Sequence, residues 1–280
     1  MWTVRRGVVI GVVAVVLVIG TSVAWYLIRT LGGSTPGCVA TGATGSASST
    51  PPDFTLTVEQ ADNAATIAGV GIQLGMPDHA VSVALATAMQ ESRLRNLPSG
   101  DRDSAGLFQQ RPSQGWGTHA QVVDPVHAST AFYERLRTEP NWSQLSVTQA
   151  AQLVQHSATP DAYAQWEPEA RAIASALTGE RAAALSCQHL TIAAPSAALV
   201  PSLVPTALAE LGTGKLSGAH NQASGWAISS WLVAHASRLD VDRVTFDGST
   251  WTASSGTWSH TGSADGMLTF HQVSGAATQG

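Results

Sequence analysis

The start of the chain constrains everything after it. Residues 7–28 read GVVIGVVAVVLVIGTSVAWYLI and contain no charged side chain. A helix over this run is long enough to cross a bilayer, which takes about 20 apolar residues. Arg5, Arg6 and the terminal amine precede it and Arg29 follows it. The excess of positive charge before the run places the N-terminus in the cytoplasm and the bulk of the chain outside, although Arg29 weakens the bias. Trp25 and Tyr26 suit the outer membrane–water interface. The expectation is a single-pass protein of the cell membrane, with residues 1–31 forming a cytoplasmic tip and a transmembrane helix. The alternative is secretion after signal cleavage, because small residues follow the run, but the run exceeds a usual signal core. A lipid anchor on Cys38 is disfavoured. Thr35-Pro36-Gly37 lacks an aliphatic residue before the cysteine, and Cys38 lies well past the apolar run.

An extracytoplasmic location bears on the two cysteines, Cys38 and Cys187. Neither belongs to a C-x-x-C pair, so a zinc knuckle or a thioredoxin-like motif is unsupported. An even count outside the cytosol favours one long-range disulfide over two free thiols. The nine His are scattered, and no metal or other cofactor is expected. The net charge of −5, with no basic run, argues against nucleic acid as a partner.

Composition divides the rest. Residues 32–52, GGSTPGCVATGATGSASSTPP, have too little apolar area to fold and read as a flexible linker. Residues 53–190 read as the next domain, helical from Phe54 to Gly179. Thr57 and Gln60 have capping-box spacing before a helix to about Leu74, and Ser146 and Gln149 repeat the pattern. Asp78 is the expected cap of the next helix, whose apolar stripe is Val81, Ala84, Leu85, Ala88 and Met89. Asp124-Pro125 starts another, with Asp as cap and Pro at the first position. Pro168 to Leu177 closes the region, and Gly179 stops it. Residues 191–206 form a second, Pro-rich linker. Residues 207–280 read as a small α/β domain: a helix over Trp226–Leu239, strands at Arg243–Phe246 and Met267–Gln272, and turns at Asp247-Gly248 and Asp265-Gly266.

The chemistry concentrates in QESRLRNLPSGDRDSAGLFQQRPSQGWG, residues 90–117. Glu91 is a lone carboxyl at the end of an Ala-rich helix. Burial there raises its pKa, so that it holds a proton for a leaving oxygen. Glycosidic cleavage then needs a second carboxylate or help from the substrate. Asp101 and Asp103, in the loop after the helix, are the candidate partners. Ser104, Gln109 and Gln110 suit sugar hydroxyls and acetamides, and Trp116 suits a sugar ring face. Against this stands the common case of a solvated Glu and a loop that only packs.

These residues resemble the soluble lytic transglycosylase and goose-type lysozyme group of the lysozyme-like superfamily. That group has a helix ending in Glu-Ser, with the Glu as catalytic acid, and then a Ser/Ala-x-Gly-Leu-x-Gln element on the cleft wall. Glu91-Ser92 matches the first part, and Ser104-Ala105-Gly106-Leu107-Phe108-Gln109 matches the second. The group places a Tyr near the catalytic Glu, and the candidate here is Tyr163. The match covers roughly residues 57–179. Phe108 departs from the usual Met. The nearby Arg93, Arg95 and Arg102 introduce a second departure, since an arginine paired with Glu91 would keep it ionised. The longer string also resembles membrane-anchored or secreted proteins of actinobacteria. A heavy-metal transport label carried by some of them finds no support in one span and two distant Cys.

The resemblance implies a mainly α lysozyme-like domain, preceded by one transmembrane helix and followed by the small α/β domain. It implies a glycosidase-type enzyme, a lytic transglycosylase or a muramidase, that cleaves the glycan strands of peptidoglycan in the cell wall. Its partners would be those strands and the inner (cytoplasmic) membrane, with envelope proteins as further candidates. The alternative is a non-catalytic glycan-binding or envelope scaffold protein. The C-terminal region resembles a small domain of some actinobacterial wall hydrolases. That domain's His-x-His element is reduced here to His271, which favours a non-catalytic module. Trp226, Trp231, Trp251 and Trp258 form either a sugar platform or, more commonly, a small-domain core.

Overall fold

In a computed structural model, the described residues are 35–43, 52–156, 159–192 and 203–273. The apolar run 7–28, with its expected membrane span, lies outside them. Among the described residues, no helix is long and apolar enough to cross a membrane.

The helices begin where local chemistry dictates. Thr57 caps α1 (Val58–Gln73) in a reciprocal box with Gln60. Helix α2 (Asp78–Ser92) starts after Pro77, so Asp78 sits inside the first turn rather than capping it. The short α3 (His119–Val122) precedes α4 (Pro125–Thr138), where Asp124 Oδ1 accepts from the His127 amide at 2.8 Å. Ser146 and Gln149 box the start of α5 (Val147–Gln155). A 3₁₀ turn over 160–166 leads into α6 (Glu167–Leu177), and Gly179 follows at φ 77°. Helices α7 (Leu203–Leu211), α8 (Gln222–Ala234) and α9 (Ala236–Leu239) come later.

Helix α2 is the axis of this region. Its expected stripe is buried, and so are most residues between, because α1, α4, α5 and α6 pack around it. Alanine at 80, 84, 86 and 88 keeps the backbones close, in the way small residues allow tight helix packing. The two ends of α2 reach the surface, Asp78 and His79 at the start and Gln90 and Glu91 in the last turn.

The strands change the fold class expected from the sequence. Strand β1 (Gly37–Thr41) pairs antiparallel with both β2 (Asp53–Leu56) and β3 (Leu185–Gln188), forming a three-stranded sheet. Residues 37–41, expected within a flexible tether, are therefore a central strand. The physical reason is long-range pairing. Cys38 faces Cys187 in register and is bonded to it, which ties together residues with a sequence separation of 149. A second antiparallel sheet has the order β4 (Gly218–Ala219), β8 (Met267–Gln272), β5 (Val241–Phe246), β6 (Ser249–Thr252), β7 (Trp258–His260). Asp247 and Gly248, both at positive φ, close the two-residue turn between β5 and β6, as such hairpins require.

A mainly α domain followed by a separate small α/β domain is thus not what forms. The described residues from Pro36 onward form one compact unit, and one hydrophobic core joins both regions. Helix α1 packs on α7 and α8, and α7 begins within the expected second linker. The tryptophans bind the regions together. Trp231 and Trp251 are buried, Trp251 Nε1 donates to the Cys187 carbonyl at 3.1 Å, and Trp258 Nε1 donates to the Leu185 carbonyl at 2.8 Å. Trp226 meets Phe246 and Trp258 edge to face. Trp226, Trp231 and Trp251 are core and Trp258 packs partly buried against it, so these four do not form an exposed sugar platform. Nor is the helix over 226–239 one continuous amphipathic element: Gly225–Ala234 of α8 is buried throughout, and α9 follows as a short separate turn.

Candidate functional site

The end of α2 is fixed in three ways. Arg93 terminates the helix in a left-handed conformation (φ 59°). Ser92 Oγ donates to the Leu107 carbonyl at 2.7 Å, tying the helix to the loop after it. The Asn63 amide of α1 donates to the Leu94 carbonyl at 2.8 Å. The loop then makes a tight turn in which Ala105 and Gln110 exchange backbone bonds at 3.0 Å. Gly106 occupies this turn at φ 79°, and a Cβ there would sit 1.9 Å from the Val122 carbonyl oxygen. Only glycine fits both demands.

Glu91 is half-buried and lines an open groove of about 810 Å³. Tyr163, fully buried on the 3₁₀ turn, donates its hydroxyl to Glu91 Oε1 at 3.0 Å. Burial pushes the Glu91 carboxyl above its ordinary pKa, and bonds from Tyr163 and Gln155 only partly offset this. No arginine opposes the shift. Arg93 lies over the Trp166 ring at 4.1 Å, and Arg102 lies 3.9 Å from Asp101. Trp166 in turn donates to the Gln90 side chain at 2.8 Å, bracing the residue before Glu91.

The other sequence candidates separate. Gln109 and Trp116 line the groove with Glu91. Ser104 is buried behind it, and its hydroxyl donates to Gln109 Oε1 at 3.1 Å, so it supports Gln109 rather than facing a ligand. Gln110 turns into the core and donates to the Ala128 carbonyl at 3.1 Å. Asp101 is exposed beside Arg102. Asp103 accepts from the Ser113 amide at 2.8 Å and from Arg111 Nε at 2.8 Å. Those bonds hold its carboxyl far below the usual range, so it carries no proton to give. Neither aspartate is among the residues lining the groove.

Other lining residues carry no local signal. Arg111 follows the tight turn, Glu134 is on α4, and Gln155 and His156 end α5. They meet Glu91 only because α4 and α5 both pack on α2. Among the described residues, no cluster of His, Cys, Asp or Glu is arranged to hold a metal ion. What the groove offers is one carboxyl of raised proton affinity, several neutral amides, one indole face, and the charged side chains of Arg111, Glu134 and Arg135.

The chain matches no protein-family model and no curated protein sequence.

Proposed function

We propose that the chain cleaves the glycan strands of peptidoglycan, with Glu91 as the general acid and then the general base. The observation that carries this reading is a half-buried carboxyl with raised proton affinity, set in a polar groove and bonded only by neutral donors. Gln109, Gln114 and Gln155 supply amides for hydroxyl and acetamide groups, and Trp116 supplies a stacking face. The motif resemblance to lytic transglycosylases and goose-type lysozymes supports the same reading. The scaffold alternative would be favoured by an arginine that neutralises Glu91, and Arg93 and Arg102 are engaged elsewhere.

Glu91 gives its proton to the glycosidic oxygen as the C1–O bond breaks, and the ring oxygen stabilises the cation that develops. Neither Asp101 nor Asp103 lines the groove, and Glu134 on α4 is the second carboxyl there; the reading we retain uses Glu91 alone. The muramyl 6-hydroxyl attacks C1 and returns its proton to the Glu91 carboxylate. The product is a 1,6-anhydro end. The catalytic part would act outside the cytoplasmic membrane, anchored by residues 7–28. The Cys38–Cys187 disulfide supports an oxidising compartment.

The test is digestion of purified peptidoglycan by the full-length chain and by Glu91→Gln, with mass spectrometry of the products. Anhydro ends that vanish in the variant are the expected result. Reducing ends that vanish would replace the substrate hydroxyl with water as the attacking group. No release by the wild type would remove the enzymatic reading.

A further inference from the structure

We infer that Arg111 recognises an acidic substituent on the glycan, with Asp103 and Ser113 as the residues that aim it. This rests on the proposed glycan-cleaving reading and deepens it by naming a substrate feature the site selects. Arg111 leaves the tight turn just before a 3₁₀ turn at Pro112–Gln114 and lines the same groove as Glu91. Its side chain is only 24% exposed. Its Nε donates to Asp103 Oδ1 at 2.8 Å, and its Nη2 reaches Ser113 Oγ at 3.4 Å. The Ser113 amide holds the other Asp103 oxygen at 2.8 Å. The guanidinium plane is therefore braced from behind, and those two bonds use two of its five N–H donors.

A surface arginine that only solubilises a loop needs no such brace. The other arginine on the groove differs: Arg135 is 51% exposed and donates to Glu139, just past the end of its own helix, at 3.1 Å. The groove's neutral amides already suit sugar hydroxyls. A fixed guanidinium adds something else, since it binds a planar carboxylate through parallel N–H bonds. Every second sugar of peptidoglycan bears a lactyl carboxyl, either free or extended by a peptide with carboxylates of its own. Glu134 on the same groove disfavours such a group, while Arg111 attracts it. Asp103, which sequence reasoning placed in catalysis, becomes a positioning residue.

The experiment uses the full-length chain and two probes. One is a muramyl-containing tetrasaccharide with free lactyl carboxylates, and the other is the neutral N-acetylglucosamine tetrasaccharide. Binding is measured by calorimetry in the Glu91→Gln background, and cleavage of peptidoglycan is measured separately with Glu91 intact. Arg111→Gln should weaken the acidic probe about 10- to 100-fold, as loss of a hydrogen bond to a charged group does, and leave the neutral probe unchanged. Arg111→Lys should recover part of the loss, and Asp103→Asn should weaken the acidic probe less than Arg111→Gln. Equal weakening of both probes, or no change in either, overturns the role of Arg111. The cleavage reading then still stands if the wild type releases anhydro ends. A wild type that releases nothing removes the cleavage reading, and this inference with it.

Discussion

Glu91 and Glu210 are two glutamates drawn out of water on helices of the same core, and their proton affinities move in opposite directions. Glu91 ends α2 and is met by the neutral donors Tyr163 and Gln155. Glu210, on α7, is 3% exposed. Its Oε2 accepts from Trp231 Nε1 at 2.8 Å and lies 2.9 Å from His235 Nε2, while Arg238 Nη2 donates to its Oε1 at 2.8 Å. Asp62 of α1 completes the cluster by contacting both His235 and Arg238. Burial raises the Glu210 carboxyl too, but His235 and Arg238 outweigh it and hold the pKa down to about 2. For His235, burial disfavours the charge, while Asp62 and Glu210 restore it and raise the pKa. Burial alone therefore does not make a carboxyl an acid catalyst. Cationic partners make it a fastener, and neutral partners beside an open groove leave its proton affinity raised.

The strongest test of this contrast is the same substitution at both sites. Glu91→Gln should reduce glycan cleavage by about 10²- to 10⁴-fold, the usual worth of a general acid. Its stability at neutral pH should be unchanged or higher, because the folded state no longer shelters an ionisable carboxyl that prefers its proton. Glu210→Gln should do the reverse. Leaving His235 and Arg238 with Asp62 as their one carboxylate partner should cost about 3–5 kcal/mol in urea unfolding, with activity per folded molecule retained. Equal stability losses in the two variants would end the distinction.

A second test moves the partners instead. Gln155→Arg places a guanidinium beside Glu91 and should pull its pKa down, imitating Glu210. Cleavage at neutral pH should fall by about 10-fold or more as the protonated fraction shrinks. The loss should be recovered in part by assaying at lower pH. A loss that persists at every pH would indicate a blocked groove, not a changed proton affinity.

What the sequence made legible follows the same divide between local and distant partners. The boxes at Thr57–Gln60 and Ser146–Gln149 and the Asp124-Pro125 start were readable because donor and acceptor lie within one turn. Glu91, Gln109, Trp116 and Tyr163 were named as site candidates through short motifs. Strand β1 was hidden in a Gly- and Thr-rich stretch, because its order comes from pairing with residues 185–188. Asp103 was chosen for its charge, yet its role depends on the geometry of Arg111 Nε, which spacing does not reveal. The Asp62–Glu210–His235–Arg238 cluster gathers residues from α1, α7 and the start of α9, so no local pattern announces it.

The third test reads the cluster through pH. Glu210 has a folded pKa of about 2 against an ordinary 4.5. Its contribution is therefore fully present above 4.5 and is lost as pH falls toward 2, an effect of about 3 kcal/mol. His235 is shifted upward from 6.5, so its contribution is present below 6.5 and is lost as pH rises through its folded value. Urea midpoints measured across pH should peak between these limits. Glu210→Gln should flatten the acid side, and His235→Gln the alkaline side. Glu91→Gln should leave the acid side in place and lift the alkaline side, since a raised carboxyl favours folding only while it is protonated.

The smallest expected effect separates the chemistry of Tyr163 from its packing. Its hydroxyl donates to Glu91, which favours the carboxylate and lowers a pKa that burial raises. Tyr163→Phe keeps the ring in its buried seat and removes the bond to Glu91. The Glu91 pKa should then rise further. The alkaline limb of the pH–activity profile, where the acid loses its proton, should move to higher pH. The maximal rate should fall by about 10-fold, because the carboxylate left after proton donation loses a charged hydrogen bond. The two changes are opposite in sign at high pH, so the variant should lose least, relative to wild type, where the wild type has already begun to deprotonate. If the rate falls while the limb stays in place, Tyr163 shapes the groove without touching the proton. If the limb moves down, the neutral-partner account of Glu91 is wrong, and its contrast with Glu210 needs another cause.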